Sequence, residues 1–188
     1  MAEINEQQLL ELAKNAAIKG GAEIMEVYQS DFEVVKKEDQ SPLTIADQRS
    51  NEVIEKLLKS SGIPILSEEG IHGSFEERKS FTYLWIVDPL DGTKEFVKRN
   101  GEFTVNIALV ENGIPILGVI YVPTKKWMYF GSSSGSYREV KGSREKLPLN
   151  IKKEVFTAVG SRSHPSKETA DFFEQLKKEK GNVEVVSM

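Results

Sequence analysis

Tyr83-Leu84-Trp85-Ile86-Val87-Asp88-Pro89-Leu90-Asp91-Gly92-Thr93 runs from an apolar segment straight into two carboxylates. The run Tyr83 to Val87 predicts a buried strand, and Pro89 followed by Gly92 and Thr93 predicts a tight turn at its end. Two aspartates three apart around a turn can aim at one point, with the Leu90 carbonyl between them. Such an oxygen set suits a hard cation such as Mg2+. A short helix is predicted from Thr93-Lys94-Glu95-Phe96-Val97-Lys98. The backbone N–H groups of Gly92 and Thr93 at its start would favour a phosphate. Asp-Gly is also an ordinary turn signal, and Asp91 is equally suited to capping the helix that follows.

Upstream, the first 29 residues carry helical periodicity, with Leu9, Leu12, Ala13, Ala16, Ala17, Met25 and Tyr28 as the buried stripe and a break expected near Gly20-Gly21. A short strand is predicted from Phe32 to Lys36. A second amphipathic helix follows from Thr44 to Lys59 through Ile45, Val53, Ile54, Leu57 and Leu58, with Asp47 in its first turn. A strand from Ile63 to Leu66 then stops at Ser67-Glu68-Glu69-Gly70, a second pair of acids at a strand end. Residues 71 to 80, with His72, read as a polar, mobile loop.

Downstream the pattern is an antiparallel meander: Phe103 to Val110, a turn at Glu111-Asn112-Gly113, Ile114 to Tyr121, Lys126 to Phe130 and Ser136 to Val140. Gly142 to Leu147 reads as turn, and a domain boundary is placed near Pro148. This gives an N-terminal α+β metal-binding domain over 1–148 and the start of an α/β substrate domain over 149–188, with a strand at Val155 to Gly160, a helix from Ser166 to Glu179 and a strand at Val183 to Val186. A final apolar strand with nothing after it leaves an open edge, so the chain is expected to be part of a longer protein.

Composition narrows the chemistry. The 188 residues contain no cysteine, which excludes disulfides, thiolate catalysis and Cys-based zinc sites and leaves carboxylates, two histidines and hydroxyls. A net charge of −4, from 25 basic and 29 acidic residues without long single-sign blocks, gives no footprint for a nucleic-acid polymer. No apolar run approaches the roughly 18 residues of a membrane span, and no secretory signal is recognisable. A cytoplasmic location is the resulting expectation; the oligomeric state is not written in the sequence.

Three segments in order, Pro42-Leu43-Thr44-Ile45-Ala46-Asp47, Ser67-Glu68-Glu69 and Trp85-Ile86-Val87-Asp88-Pro89-Leu90-Asp91-Gly92-Thr93, resemble the lithium-sensitive, magnesium-dependent phosphatases of the inositol monophosphatase superfamily. Asp91-Gly92-Thr93-Lys94-Glu95-Phe96, with the Ser41 to Asp47 segment, resembles its 3'(2'),5'-bisphosphate nucleotidase (CysQ-like) branch. The resemblance implies an α+β, layered αβαβα-type sugar-phosphatase fold with a large, mainly antiparallel sheet and a truncated second α/β domain. It also implies a phosphomonoesterase that hydrolyses the 3'-phosphate of adenosine 3',5'-bisphosphate to AMP and phosphate, with a sulfated relative as another substrate and a place in sulfur assimilation.

By that resemblance, Glu68, Asp88 and the Leu90 carbonyl hold one Mg2+, and Asp88 and Asp91 share a second, within a set of two or three ions. Thr93 positions the attacking water, Asp47 acts as base or orienting acceptor, Glu68 belongs to the catalytic set, and Gly92 and Thr93 hold the phosphate. Ser161, Arg162 and His164, in a turn between a strand and a helix, are implied substrate contacts. By itself Glu68-Glu69 also reads as a solvated pair, Asp47 as a carboxylate on a helix dipole, and Ser163 or Ser166 as a helix cap.

One feature departs from the family pattern. A Trp-Asp-x-Ala-Ala-Gly segment that supplies a further metal ligand is missing, the only other tryptophan, Trp127, being followed by Met128. These 188 residues alone are therefore expected to be weakly active or inactive. An inositol or sugar monophosphatase and a noncatalytic metal- or nucleotide-binding module remain as alternatives.

Overall fold

The structure is a computed structural model that describes residues 5–30, 34–36, 42–70, 73–149, 155–161 and 166–187. It divides into two compact units, Met1–Leu149 and Asn150–Met188. The first opens with α1 (Glu6–Tyr28), capped by the Asn5 side chain, which accepts from the Gln8 N–H at 3.1 Å.

Helix α1 buries Leu10, Ala13, Ala16, Ala17, Gly20, Gly21, Ile24 and Val27, one stripe at helical spacing. The break expected at Gly20-Gly21 does not occur. Both glycines sit at close crossings: a Cβ on Gly20 would come within 2.7 Å of Ile54, and one on Gly21 within 2.6 Å of the Tyr121 ring. The pair is there for contact, not for interruption. Leu9, Leu12, Met25 and Tyr28, expected in the stripe, are only half-buried at its margins, and Leu10, Ile24 and Val27 take the centre.

Strands β1 (Val34–Lys36) and β2 (Pro42–Thr44) form a small antiparallel ladder that leads into α2 (Ile45–Leu58). One face of α2 buries Ala46, Ile54 and Leu58 together with three polar residues, Asp47, Ser50 and Asn51. A 3-10 turn over Lys59–Ser61 ends at Gly62, whose φ of 69° is left-handed.

The main sheet has seven strands in sequence order: β3 (Ile65–Ser67), β4 (Tyr83–Asp91), β5 (Thr104–Glu111), β6 (Ile114–Val122), β7 (Trp127–Ser132), β8 (Gly135–Val140) and β9 (Ser143–Lys146). Only β3 and β4 run parallel; every other neighbour is antiparallel. The architecture is α+β around a large, mainly antiparallel sheet, as the sequence predicts. Between β3 and β4, the segment expected as a loop contains a short helix, α3 (Phe75–Arg78), stabilised by a Ser74–Glu77 capping box. His72 lies outside the described residues. The expected turn from Gly142 to Leu147 is instead strand β9, where Glu145 faces Arg138 across the ladder and pairs with it at 2.6 Å.

Period-two alternation sends Trp85, Val87, Val105, Ile107, Leu109, Leu117, Val119, Met128 and Phe130 into the core with α1 and α2. Ile86 and Ile120 point to the opposite, exposed face. After β4, α4 (Thr93–Val97) is fixed by Phe96, fully buried, its ring tilted against Tyr28 and edge-to-face with Phe103 at centroid distances of 5.1 and 5.2 Å. The second unit has β10 (Phe156–Gly160) and β11 (Val183–Ser187) paired in parallel and linked by α5 (Lys167–Lys180), whose Ser166 cap accepts from the Thr169 N–H at 3.2 Å. Among the described residues no helix is long and apolar enough to cross a membrane.

Candidate active site

The acid cluster is a product of strand register. Ser67 pairs with Val87, and the Glu68 N–H donates to the Val87 carbonyl at 3.0 Å, so Glu68 and Asp88 leave two parallel strands side by side. On the other side Asp88 lies opposite Asn106 of β5. Pairing then slips across Pro89 and Leu90 and resumes with Asp91 opposite Thr104. This bulge lets two aspartates three apart serve one site, since an uninterrupted strand would send them to opposite faces.

The bulge is anchored from below. Leu90 is 2% exposed. The buried Ser50 hydroxyl donates to the Pro89 carbonyl at 2.9 Å. Its neighbour Asn51 accepts from the Ser67 hydroxyl at 2.5 Å, next to Glu68. One face of α2 therefore supports both acidic segments. Asp47, 3% exposed, sits one turn earlier on the same helix.

Beyond Asp91 the chain turns at Gly92, with φ of 94°, and a Cβ there would lie 2.9 Å from the Glu102 carbonyl oxygen. Only glycine fits without strain. The Thr93 hydroxyl donates back to the Leu90 carbonyl at 3.3 Å. A carbonyl oxygen has two lone pairs, so Leu90 retains one for another partner.

Burial pushes the Asp88 carboxyl up to about 7, and Glu68 and Asp91 add to the shift because neighbouring negative charge opposes ionisation. Its Oδ1 is buried without a hydrogen-bond partner among the described residues. A desolvated acid with an unmet oxygen, beside two further acids, fits a cation. Among the described residues no three Asp, Glu or His side chains close tightly enough to hold a metal ion by themselves.

The structure thus gathers Glu68, Asp88, Leu90, Asp91, Gly92 and Thr93 around one turn and packs the helix of Asp47 against it. Ser161 is exposed after β10 in the second unit, and Arg162 and His164 lie outside the described residues. Sequence reasoning missed Asn106, Thr104, Ser50 and Asn51. The Asn106 amide donates to Asp91 Oδ2 at 3.1 Å, and the Thr104 hydroxyl donates to Asn106 Oδ1 at 3.1 Å. The polar Thr104, Asn106 alternation inside an apolar strand was the available signal.

The family model described as "Inositol monophosphatase family" matches residues 5–187. The chain belongs to the inositol monophosphatase family. Within that family it is 42% identical over 174 residues to the Salmonella typhimurium "3'(2'),5'-bisphosphate nucleotidase CysQ", covering 90% of this chain and 68% of that protein. The crystal structure of CysQ from Bacteroides thetaiotaomicron matches with a TM-score of 0.85 at 44% identity, over 98% of this chain and 74% of that one. An inositol monophosphatase structure from Anabaena matches with a TM-score of 0.68 at 26% identity, over 97% of this chain and 68% of that one. The family members that share its core thus include both nucleotide and inositol phosphatases by name.

Proposed function

We propose that this family member is a Mg2+-dependent phosphomonoesterase that hydrolyses the 3'-phosphate of adenosine 3',5'-bisphosphate to AMP and phosphate. The observation that carries the reading is the bulged turn placing Asp88 and Asp91 beside Glu68. The choice of substrate rests on the identity of 42 to 44% with proteins named CysQ, against 26% with the Anabaena inositol monophosphatase.

In this reading Glu68, Asp88 and the Leu90 carbonyl would hold one cation, and Asp88 and Asp91 would hold another. Bound cations supply a more acidic water and neutralise charge on the departing ester oxygen. The chain's own groups do the rest. Thr93, its proton committed to Leu90, offers lone pairs that accept from the attacking water and fix its direction. Asp47 acts as the base or orienting acceptor behind it. The first-turn N–H groups at Gly92 and Thr93 bind the phosphate, because helix geometry leaves them without intrahelical partners. Ser161, Arg162 and His164 are the proposed contacts to the nucleotide beyond the reacting phosphate.

Two or three ions, a cytoplasmic location and a role in sulfur assimilation complete the proposal. Incubation with adenosine 3',5'-bisphosphate and Mg2+ tests the reading: AMP and phosphate should appear in equal amounts and stop on chelation. Adenosine 3'-phosphate as product would show the wrong ester cleaved.

A further inference from the structure

We infer that Asn106, held by Thr104, is a positioning residue that fixes the Asp91 carboxylate for cation binding. The inference rests on the metal-dependent reading above. Asn106 is half-buried on β5, directly across from Asp88, and reaches Asp91 Oδ2 with its amide at 3.1 Å. The Thr104 hydroxyl, two residues earlier on the same face, holds Asn106 Oδ1 at 3.1 Å.

The direction of the amide follows from chemistry. An ionised carboxylate only accepts, so Asn106 must turn its NH2 group toward Asp91, and its oxygen then faces Thr104. A hydroxyl can donate, so Thr104 completes the arrangement by donating to the amide oxygen, while Asp91 disfavours the flipped amide, which would set two oxygens against each other. One oxygen of Asp91 is thereby occupied. The carboxylate of an otherwise exposed residue loses rotational freedom, and Oδ1 is left as the oxygen presented to a cation. Groups that orient a ligating carboxylate in this way typically change metal affinity by roughly 10-fold to 100-fold when removed.

The carboxamide also does this without adding charge. A fourth acid at position 106 would face Asp88, whose ionisation Glu68 and Asp91 already oppose. A neutral donor supports Asp91 and leaves that balance alone.

Mn2+ serves as the probe, its binding followed by loss of the free-ion EPR signal, with thermal unfolding of the metal-free protein measured in parallel. Asn106→Leu, which keeps the volume and removes the donor, is expected to weaken Mn2+ binding about 10-fold to 100-fold with the metal-free unfolding temperature little changed. Thr104→Val should weaken it less and should add nothing in the Asn106→Leu background, because it acts through the amide. Unaltered Mn2+ affinity in Asn106→Leu overturns the inference, as does a fully additive double variant. Should Asn106→Leu fail to fold, Thr104→Val decides alone: weaker binding supports the inference and unchanged binding overturns it. A wild-type protein that binds no Mn2+ overturns the metal-dependent reading itself, a different result from a variant that binds as well as wild type.

Discussion

The Ser50 hydroxyl and the Pro89 carbonyl, 39 residues apart in sequence, meet at 2.9 Å inside the protein. Proline has no N–H and stands in a bulge where ladder pairing lapses. Its carbonyl therefore depends on a side chain from α2. Ser50→Ala should cost about 1 to 3 kcal/mol of stability by leaving that buried oxygen unmet. Urea unfolding measures it, and a loss below about 0.5 kcal/mol, within the range of ordinary surface substitutions, would mean the bulge is not held this way.

Gly92 gives a sharper local test. With φ of 94° and a carbonyl 2.9 Å from any Cβ, Gly92→Ala combines backbone strain with a clash against main chain. A penalty of about 1 to 3 kcal/mol follows from the strain alone. In a steady-state assay kcat should fall as well, since the same turn orients Thr93. An alanine variant with unchanged unfolding temperature would contradict the geometry of the turn.

Asp88 predicts a pH dependence with a definite sign. Its folded value of about 7 lies above the ordinary carboxylate value near 4, so between those limits the folded protein keeps a proton that the unfolded chain releases. The stabilisation is full below about pH 4 and is lost as pH rises through about 7. In chelator, the unfolding temperature of the wild type should therefore fall relative to Asp88→Asn between pH 5 and pH 8. Saturating Mg2+ favours the ionised carboxylate and should restore the wild type most at the alkaline end. A gap that stays constant with pH would show that Asp88 titrates normally.

Asp47 is buried on the helix that supports both acidic segments. As the base or orienting acceptor, its replacement by Asn should lower kcat about 100-fold to 10,000-fold. KM should change little, because the proposed phosphate contacts are at Gly92 and Thr93. A rise in KM with kcat unchanged would make Asp47 a binding group instead.

The parts of this molecule that were legible in the sequence are those where a single segment carries its own signal. The apolar lead-in to Asp88 and the alternation through β5 and β6 announce strands without reference to anything distant. Gly20-Gly21 misleads because a glycine pair has the same local meaning whether it breaks a helix or lets Ile54 and Tyr121 approach it. Strand β9 was hidden for a similar reason, its charged residues being stabilised by Arg138 on the neighbouring strand. At the site, the acids were visible as motifs, while Asn106, Thr104 and Ser50 depend on pairing register and helix placement, which no local pattern encodes.

Whether this turn serves a nucleotide phosphatase is tested most directly by the ratio of kcat/KM for adenosine 3',5'-bisphosphate over inositol 1-phosphate. With Mg2+ present and enzyme in excess, so that slow turnover is still measurable, the nucleotide should be cleaved faster, yield AMP and be protected by chelator. Inositol 1-phosphate cleaved as readily as the nucleotide, or nucleotide cleavage that persists after the metal is removed, would contradict the account.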